Sequence, residues 1–71
     1  MTEYTVIYER GPNNWSAYVP DLPGCIATGK TRSELETQIR EAIEFHIEGL
    51  QRHGELVPEP SVEAGIVGVA V

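Results

Sequence analysis

PDLPGCIATGKT, residues 20–31, decides the fold because it reads in two incompatible ways. From Gly24 onward the letters match Gly-x-x-x-x-Gly-Lys-Thr, the written pattern of a phosphate-binding loop between a strand and a helix. They also spell a proline-stiffened turn, a short strand and a helix cap. A phosphate cradle needs backbone N–H groups curled around the anion, so its variable positions favour loop-compatible residues. Here those positions are Cys25, Ile26, Ala27 and Thr28, which suit a strand. A chain of 71 residues has no room for the further βα units and the acidic magnesium ligand that nucleotide chemistry requires. Lys30 and Thr31 therefore read as a strand exit and a helix N-cap.

Working outward, Thr31-x-x-Glu34 is a capping-box pattern and opens a helix. At about 100° per residue, Leu35, Ile39, Ala42, Ile43, His46 and Leu50 fall on one stripe, the expected buried face. Glu36, Arg40, Glu41, Glu44, Glu48 and Gln51 fall outside it. Gly54 is placed to end the helix in a left-handed conformation, with Leu56 beyond it for the accompanying apolar contact. Upstream, EYTVIYER (residues 3–10) reads as a first strand, with Tyr4, Val6 and Tyr8 on one face. GPNN (11–14) is turn chemistry, and WSAYV (15–19) is a second, antiparallel strand with Trp15, Ala17 and Val19 on one face. CIATG (25–29) follows the turn as a third strand, and SVEAGIVGVAV (61–71), apolar on both faces, reads as a fourth. The expected fold is α+β, in the order β-β-β-α-β, as one domain spanning residues 1–71.

Composition narrows the function. Eleven Asp and Glu against five Lys and Arg give a net charge of −6, which disfavours direct binding to a phosphate backbone and favours encounter with a basic protein. No apolar stretch approaches the roughly 18 residues of a membrane span. The N-terminus has no signal run, and the single cysteine points to the cytoplasm. One cysteine forms no internal disulfide and no Cys/His cluster has zinc spacing, so a domain this small is expected to gain stability by oligomerising.

Isolated reactive residues carry little. His46 and His53 share a helix face but lack a third metal ligand, so His46 reads as a core or interface histidine. Cys25, flanked by apolar residues, reads as a small buried hydrophobe rather than a nucleophile. Glu3, Glu9, Asp21 and Glu63 are the acids that would have to converge for a carboxylate metal site. Gly65-x-x-Gly68 sits in an apolar strand rather than between helices, which indicates close backbone packing rather than nucleic-acid clamping. Phe45 and Ile47 flank the helix stripe and widen its apolar face; with Val67 and Val69 of the last strand they are the expected oligomer contacts.

Tyr4 and Tyr8, the strand led by Trp15, the turn Pro20 to Cys25, Gly29 and Thr31 before the helix, and Pro58 to Ser61 after it occur in an order and spacing that resembles the HicB-type antitoxin domain. The resemblance spans nearly the whole chain. It implies a partial ribonuclease-H-like fold: a three-stranded antiparallel sheet, one helix packed on it and a fourth strand. It also implies a dimer or tetramer without catalytic residues or cofactors, which masks a small basic ribonuclease toxin of the HicA type. Many such proteins continue into a DNA-binding domain; here a single HicB-like domain with no C-terminal DNA-binding domain is expected.

The resulting expectation is a non-enzymatic, acidic, oligomeric module of a type II toxin–antitoxin system. Trp15, Asp21, Leu22 and the helix acids Glu41, Glu44 and Glu48 are its expected partner contacts. The competing readings are a solitary homo-oligomeric structural or regulatory domain, and a vestigial two-metal nuclease, which would need convergent carboxylates.

Overall fold

The computed structural model describes residues 1–71. β1 (Ile7–Arg10) and β2 (Trp15–Tyr18) form a hairpin closed by Gly11 N–H donating to the Asn14 carbonyl at 2.7 Å. β3 (Ile26–Gly29) adds to the other side of β2, giving an antiparallel sheet of order β1-β2-β3. Register follows side-chain chemistry. Tyr8, Ala17 and Ala27 lie in one cross-strand row on the face toward the helix, and Ile7, Tyr18 and Ile26 lie in the adjacent row on the outer face.

Each strand is shorter than its sequence pattern. β1 starts at Ile7 rather than residue 3 because its partner ends opposite it at Tyr18. Beyond Tyr18 the chain bends at Pro20, which has no N–H to donate. The bend is two stacked turns: Leu22 N–H donates to the Val19 carbonyl (3.0 Å) and Cys25 N–H to the Leu22 carbonyl (3.0 Å), while Val19 N–H donates across the base to the Cys25 carbonyl (3.1 Å). The second turn has Pro23 and then Gly24 at its centre, and Gly24 has φ +86°, the type II arrangement in which only the third position needs a positive φ. Leu22, between the two turns, is driven inward and is fully buried. The Gly24–Thr31 stretch is thus a turn corner, a strand and a cap, with its variable residues in β3.

α1 (Arg32–Arg52) follows β3 after two residues and packs back across β3 and β2. Thr31 Oγ1 accepts from Glu34 N–H at 3.1 Å, the first half of the capping box. The second half is absent: the Glu34 carboxylate accepts from Gln38 Nε2 one turn on (3.3 Å) rather than reaching back to Thr31. At the far end Gly54 N–H donates to the Gln51 carbonyl and Glu55 N–H to the Leu50 carbonyl, with Gly54 at φ +68°, a Schellman ending. The apolar contact expected from Leu56 is not made, and Leu56 is exposed.

The core is small: Ala17, Val19, Leu22, Cys25, Leu35 and Ile39 are buried, with Tyr4, Val6, Tyr8, Trp15, Ala42, Ile43 and Ile47 packed around them. His46 and Leu50, expected at the heart of the stripe, are half-buried at its margin. The expected fourth strand does not form within the chain. Residues 55–71 carry no helix or strand, and no backbone–backbone hydrogen bond involves a residue beyond Glu55. The segment reads as a strand because Val, Ile, Ala and Gly favour a sheet interior, but nothing in its own chain lies alongside it to pair with.

Candidate partner-binding site

Three features of the surface bear on partner binding. The first is a clamp. The double turn holds Asp21 so that its carboxylate accepts Ser61 Oγ–H at 2.7 Å, Ser61 N–H at 3.0 Å and Val62 N–H at 3.1 Å. These bonds favour the charged form and hold the Asp21 carboxyl below its ordinary range, the Ser61 backbone bond being the largest cause. Alongside, Tyr4 Oη–H donates to the Pro58 carbonyl (2.6 Å) and Thr5 Oγ1–H to the Val62 carbonyl (2.7 Å). Burial of Tyr4, with the charges of Glu59 and Asp21, raises the phenol pKa. Residues 58–62 are therefore tied to residues 4, 5 and 21, and residues 63–71 leave the body beyond that point.

The second feature is a groove of about 780 Å³ between the first residues of the chain and α1. Because α1 covers β2 and β3, the inner face of β1 is left open. Tyr4, Val6 and Tyr8 line one wall, and Ile39, Ile43 and Ile47 line the other. β1 is also an edge strand, so the outer side of its backbone is unpaired.

The third is the outer face of α1, where Glu41, Glu44 and Glu48 are all exposed. Glu48 is paired with Arg52 at 2.7 Å, and Glu36 with Arg32. Both are surface pairs of small energetic weight, but they partly neutralise the face. Arg32 has a second contact, its guanidinium lying 4.2 Å from the centroid of the Tyr8 ring, which ties the start of α1 to the sheet. Phe45 projects from the same helix and is 78% exposed.

The expected contacts thus separate. Glu41, Glu44, Glu48, Phe45, Val67 and Val69 are presented to solvent. Ile47 is half-buried in the groove wall. Trp15 is half-buried, with the Arg10 guanidinium 5.6 Å from its ring centroid. Leu22 is not presented, since it lies in the core; Asp21 is half-buried, with both carboxylate oxygens accepting hydrogen bonds from Ser61 and Val62. A leucine between two prolines looks exposed in a sequence, but the double turn folds it beneath itself. Cys25 is buried, and burial raises its thiol pKa, which makes it less reactive. His53 Nδ1 lies 2.8 Å from the Gly49 carbonyl. Glu3, Glu9, Asp21 and Glu63 are not brought together, since no three His, Cys, Asp or Glu side chains cluster in a way that could hold a metal ion. No helix is long and apolar enough to cross a membrane.

Two features escaped the sequence reading. Ser61 is the clamp's second member, and its only signal was its place directly after Pro-Glu-Pro. The outer row with Tyr18 (40% exposed) and Ile26 (69% exposed) was legible as the alternate positions of β2 and β3.

Residues 4–67 match the family described as the HicB_like antitoxin of bacterial toxin-antitoxin system. The chain belongs to this family. The matched span takes in the double turn, α1, the clamp and the first part of the apolar tail. Among relatives, a UPF0150 protein of Thermoplasma acidophilum is 40% identical over 62 residues, covering 86% of this chain and 90% of that protein. An uncharacterized 14.9 kDa protein from the rep-hol intergenic region of Haemophilus phage HP1 is 39% identical over 56 residues, and the HicB-like domain here spans only 42% of it. A UPF0150 protein of Helicobacter pylori is 38% identical over 45 residues, 62% of its length.

Proposed function

We propose that this chain is a non-enzymatic binding module, the antitoxin of a type II toxin–antitoxin pair, that sequesters a small basic ribonuclease of the HicA type. The observation that carries this reading is the family match over residues 4–67. The physical chemistry supports it. A net charge of −6 draws in a basic protein, and Glu41, Glu44 and Glu48 stand clear of the core where an approaching cation meets them. Phe45 supplies an aromatic anchor among those charges. On the sheet side the exposed Pro23–Gly24 corner and the free side of Trp15 make the contact, with Asp21 and Leu22 holding the corner in shape. Three antiparallel strands followed by a helix packed across them constitute, on this reading, a partial ribonuclease-H-like core used as a binding scaffold in the cytoplasm.

The test is to express the small basic reading frame encoded nearest to this one, titrate it with the protein by calorimetry, and follow RNA cleavage in parallel. Saturable binding with loss of cleavage is the expected result. Binding that leaves cleavage intact, or no binding at all, sinks the antitoxin reading. A second reading, a homo-oligomeric domain whose partner is itself, is favoured by one specific observation: Ile66, Val67, Val69 and Val71 stand fully or largely in solvent.

A further inference from the structure

Lys30, the lysine of the phosphate-loop pattern that the fold did not use, ends in a place with its own chemistry. It leaves β3 directly after Gly29, which pairs with Trp15, and Trp15 pairs with Arg10 across the hairpin. These residues and the turn at 11–14 line a cleft of about 210 Å³ that shares no residue with the large groove. No acid lines it. Glu9, beside Arg10 in sequence, alternates to the other face of the sheet, in the row with Ser16. Of the chain's five cations, Arg32 and Arg52 are paired with Glu36 and Glu48, and Arg40 lines the groove along with Glu36 and Glu44. Arg10 and Lys30 have no carboxylate partner. The Arg10 guanidinium, the Lys30 ammonium, the Trp15 indole N–H and the Asn13 and Asn14 amides make no hydrogen bond within the chain.

We infer that this cleft binds a single nucleotide, with Lys30 and Arg10 on the phosphate and Trp15, Asn13 and Asn14 on the base. Both charged groups in the cleft are cations with unused donors, the combination that holds an oxyanion. The cleft is larger than a bare phosphate ion needs, and what surrounds the cations suits a base. An indole ring and a guanidinium, 5.6 Å apart by the ring centroid, offer flat surfaces for stacking. Asparagine amides carry a donor and an acceptor side by side, the complement of a base edge. The rest of the protein limits the ligand to one unit. At a net charge of −6 the phosphates of a longer strand meet acidic surface beyond the cleft, whereas one phosphate between two cations is largely screened from it. The contacts come from side chains at the end of the sheet, and no curled backbone of the phosphate-loop kind takes part. The inference goes beyond toxin binding and concerns the pure protein alone, so its test does not depend on any toxin.

The experiment uses the full chain. Trp15 is its only tryptophan, so its fluorescence and its indole N–H resonance report on the cleft directly. The protein is titrated with adenosine monophosphate, adenosine, inorganic phosphate and a short oligoadenylate. The monophosphate is expected to shift the Trp15 indole and the Asn13 and Asn14 side-chain amides saturably, and adenosine or phosphate alone to bind about tenfold more weakly or worse. Arg10→Gln and Lys30→Gln, both at exposed positions, are each expected to weaken the monophosphate by about tenfold with an unchanged circular dichroism spectrum. No saturable shift at these resonances, or binding that survives both substitutions, would overturn the inference. Phosphate binding as tightly as the monophosphate would reduce the cleft to a simple anion site and overturn the nucleotide assignment. An oligoadenylate that binds more tightly than the monophosphate, with a steeper loss in salt, would overturn the restriction to one unit.

Discussion

Asp21 and Ser61, 40 positions apart, are joined twice: the serine N–H and Oγ–H each donate to a different oxygen of one carboxylate, at 3.0 and 2.7 Å. The same carboxylate takes Val62 N–H, so a single side chain on the double turn fixes where the last segment departs. The bonds hold the carboxyl pKa below its ordinary value of 3.8. A depressed folded pKa means that the clamp's contribution is complete above the ordinary value and is lost as pH falls through the lower, folded one. An NMR titration of the Asp21 carboxyl is expected to give a midpoint below 3.8, with the Ser61 and Val62 amides moving in step. In Asp21→Asn that acid transition of the two amides disappears; amides that still titrate together in the variant would show that another group holds the segment.

Leu22 should be among the costliest side chains to truncate. It is fully buried in a core of six residues, so little surrounding structure is available to collapse into the space. Leu22→Ala is expected to cost about 2–5 kcal/mol, a large share of the stability of a domain this small. Urea unfolding measures it. A loss under about 1 kcal/mol would mean that the turn leucine lies against solvent in practice.

Two glycines should respond with opposite signs. Gly24 has φ +86°, a conformation that costs an L-residue about 1–2 kcal/mol, so Gly24→Ala destabilises by that order. Gly49 sits inside α1 with nothing within 4 Å of a built Cβ, so Gly49→Ala stabilises by about 0.8–1 kcal/mol. Thermal unfolding of the pair, compared with the parent, shows whether the two effects separate as expected.

The helix cap gives a finer contrast. Thr31→Ala removes the bond to Glu34 N–H and is expected to cost about 1 kcal/mol. The Glu34 side chain does not close the reciprocal bond, so Glu34→Ala forfeits its exposed hydrogen bond with Gln38 and its first-turn charge at the helix N-terminus, and should cost about half as much or less, about 0.2–0.5 kcal/mol. Equal losses from the two variants would indicate a full capping box in solution.

Replacing Glu41, Glu44 and Glu48 together by Lys leaves the fold of the isolated chain intact, since all three are exposed. The same change should slow association with a basic partner far more than it speeds dissociation, because rim charges act mainly on encounter. Stopped-flow binding at two salt concentrations reads this directly: in the parent the on-rate falls with salt, and in the variant that dependence flattens or reverses. An unchanged on-rate would place the partner on another face.

The elements were legible where local chemistry dominates. The Thr31 cap, the Gly54 ending and the PDLPGC turn depend on neighbours a few residues away, and each sits where its sequence signal lies. Strand ends were less legible because they depend on a partner: Glu3 to Val6 have strand chemistry, but the chain opposite them bends at Pro20. The inward fate of Leu22 and the occupation of Asp21 were hidden for a related reason. Both follow from how the turn stacks and from a serine 40 positions away, and neither is written in the residues alongside. The acidic helix face, set by helical spacing alone, was legible from sequence.

The clamp also bears on the order in which the molecule assembles. β1 pairs with β2, β2 with β3, and α1 follows β3 directly and packs on it, so nearly all of the body forms between stretches adjacent along the chain, the kind of pattern that folds fast. The bonds from Tyr4 to Pro58 and from Thr5 to Val62 span 54 and 57 positions, and they can close only when that body exists. A newly made chain would therefore finish its sheet and helix first and seat residues 58–62 last. During that interval its final segment is free to choose its company, and the local concentration of sister chains emerging from the same message becomes a determinant of what the protein turns into.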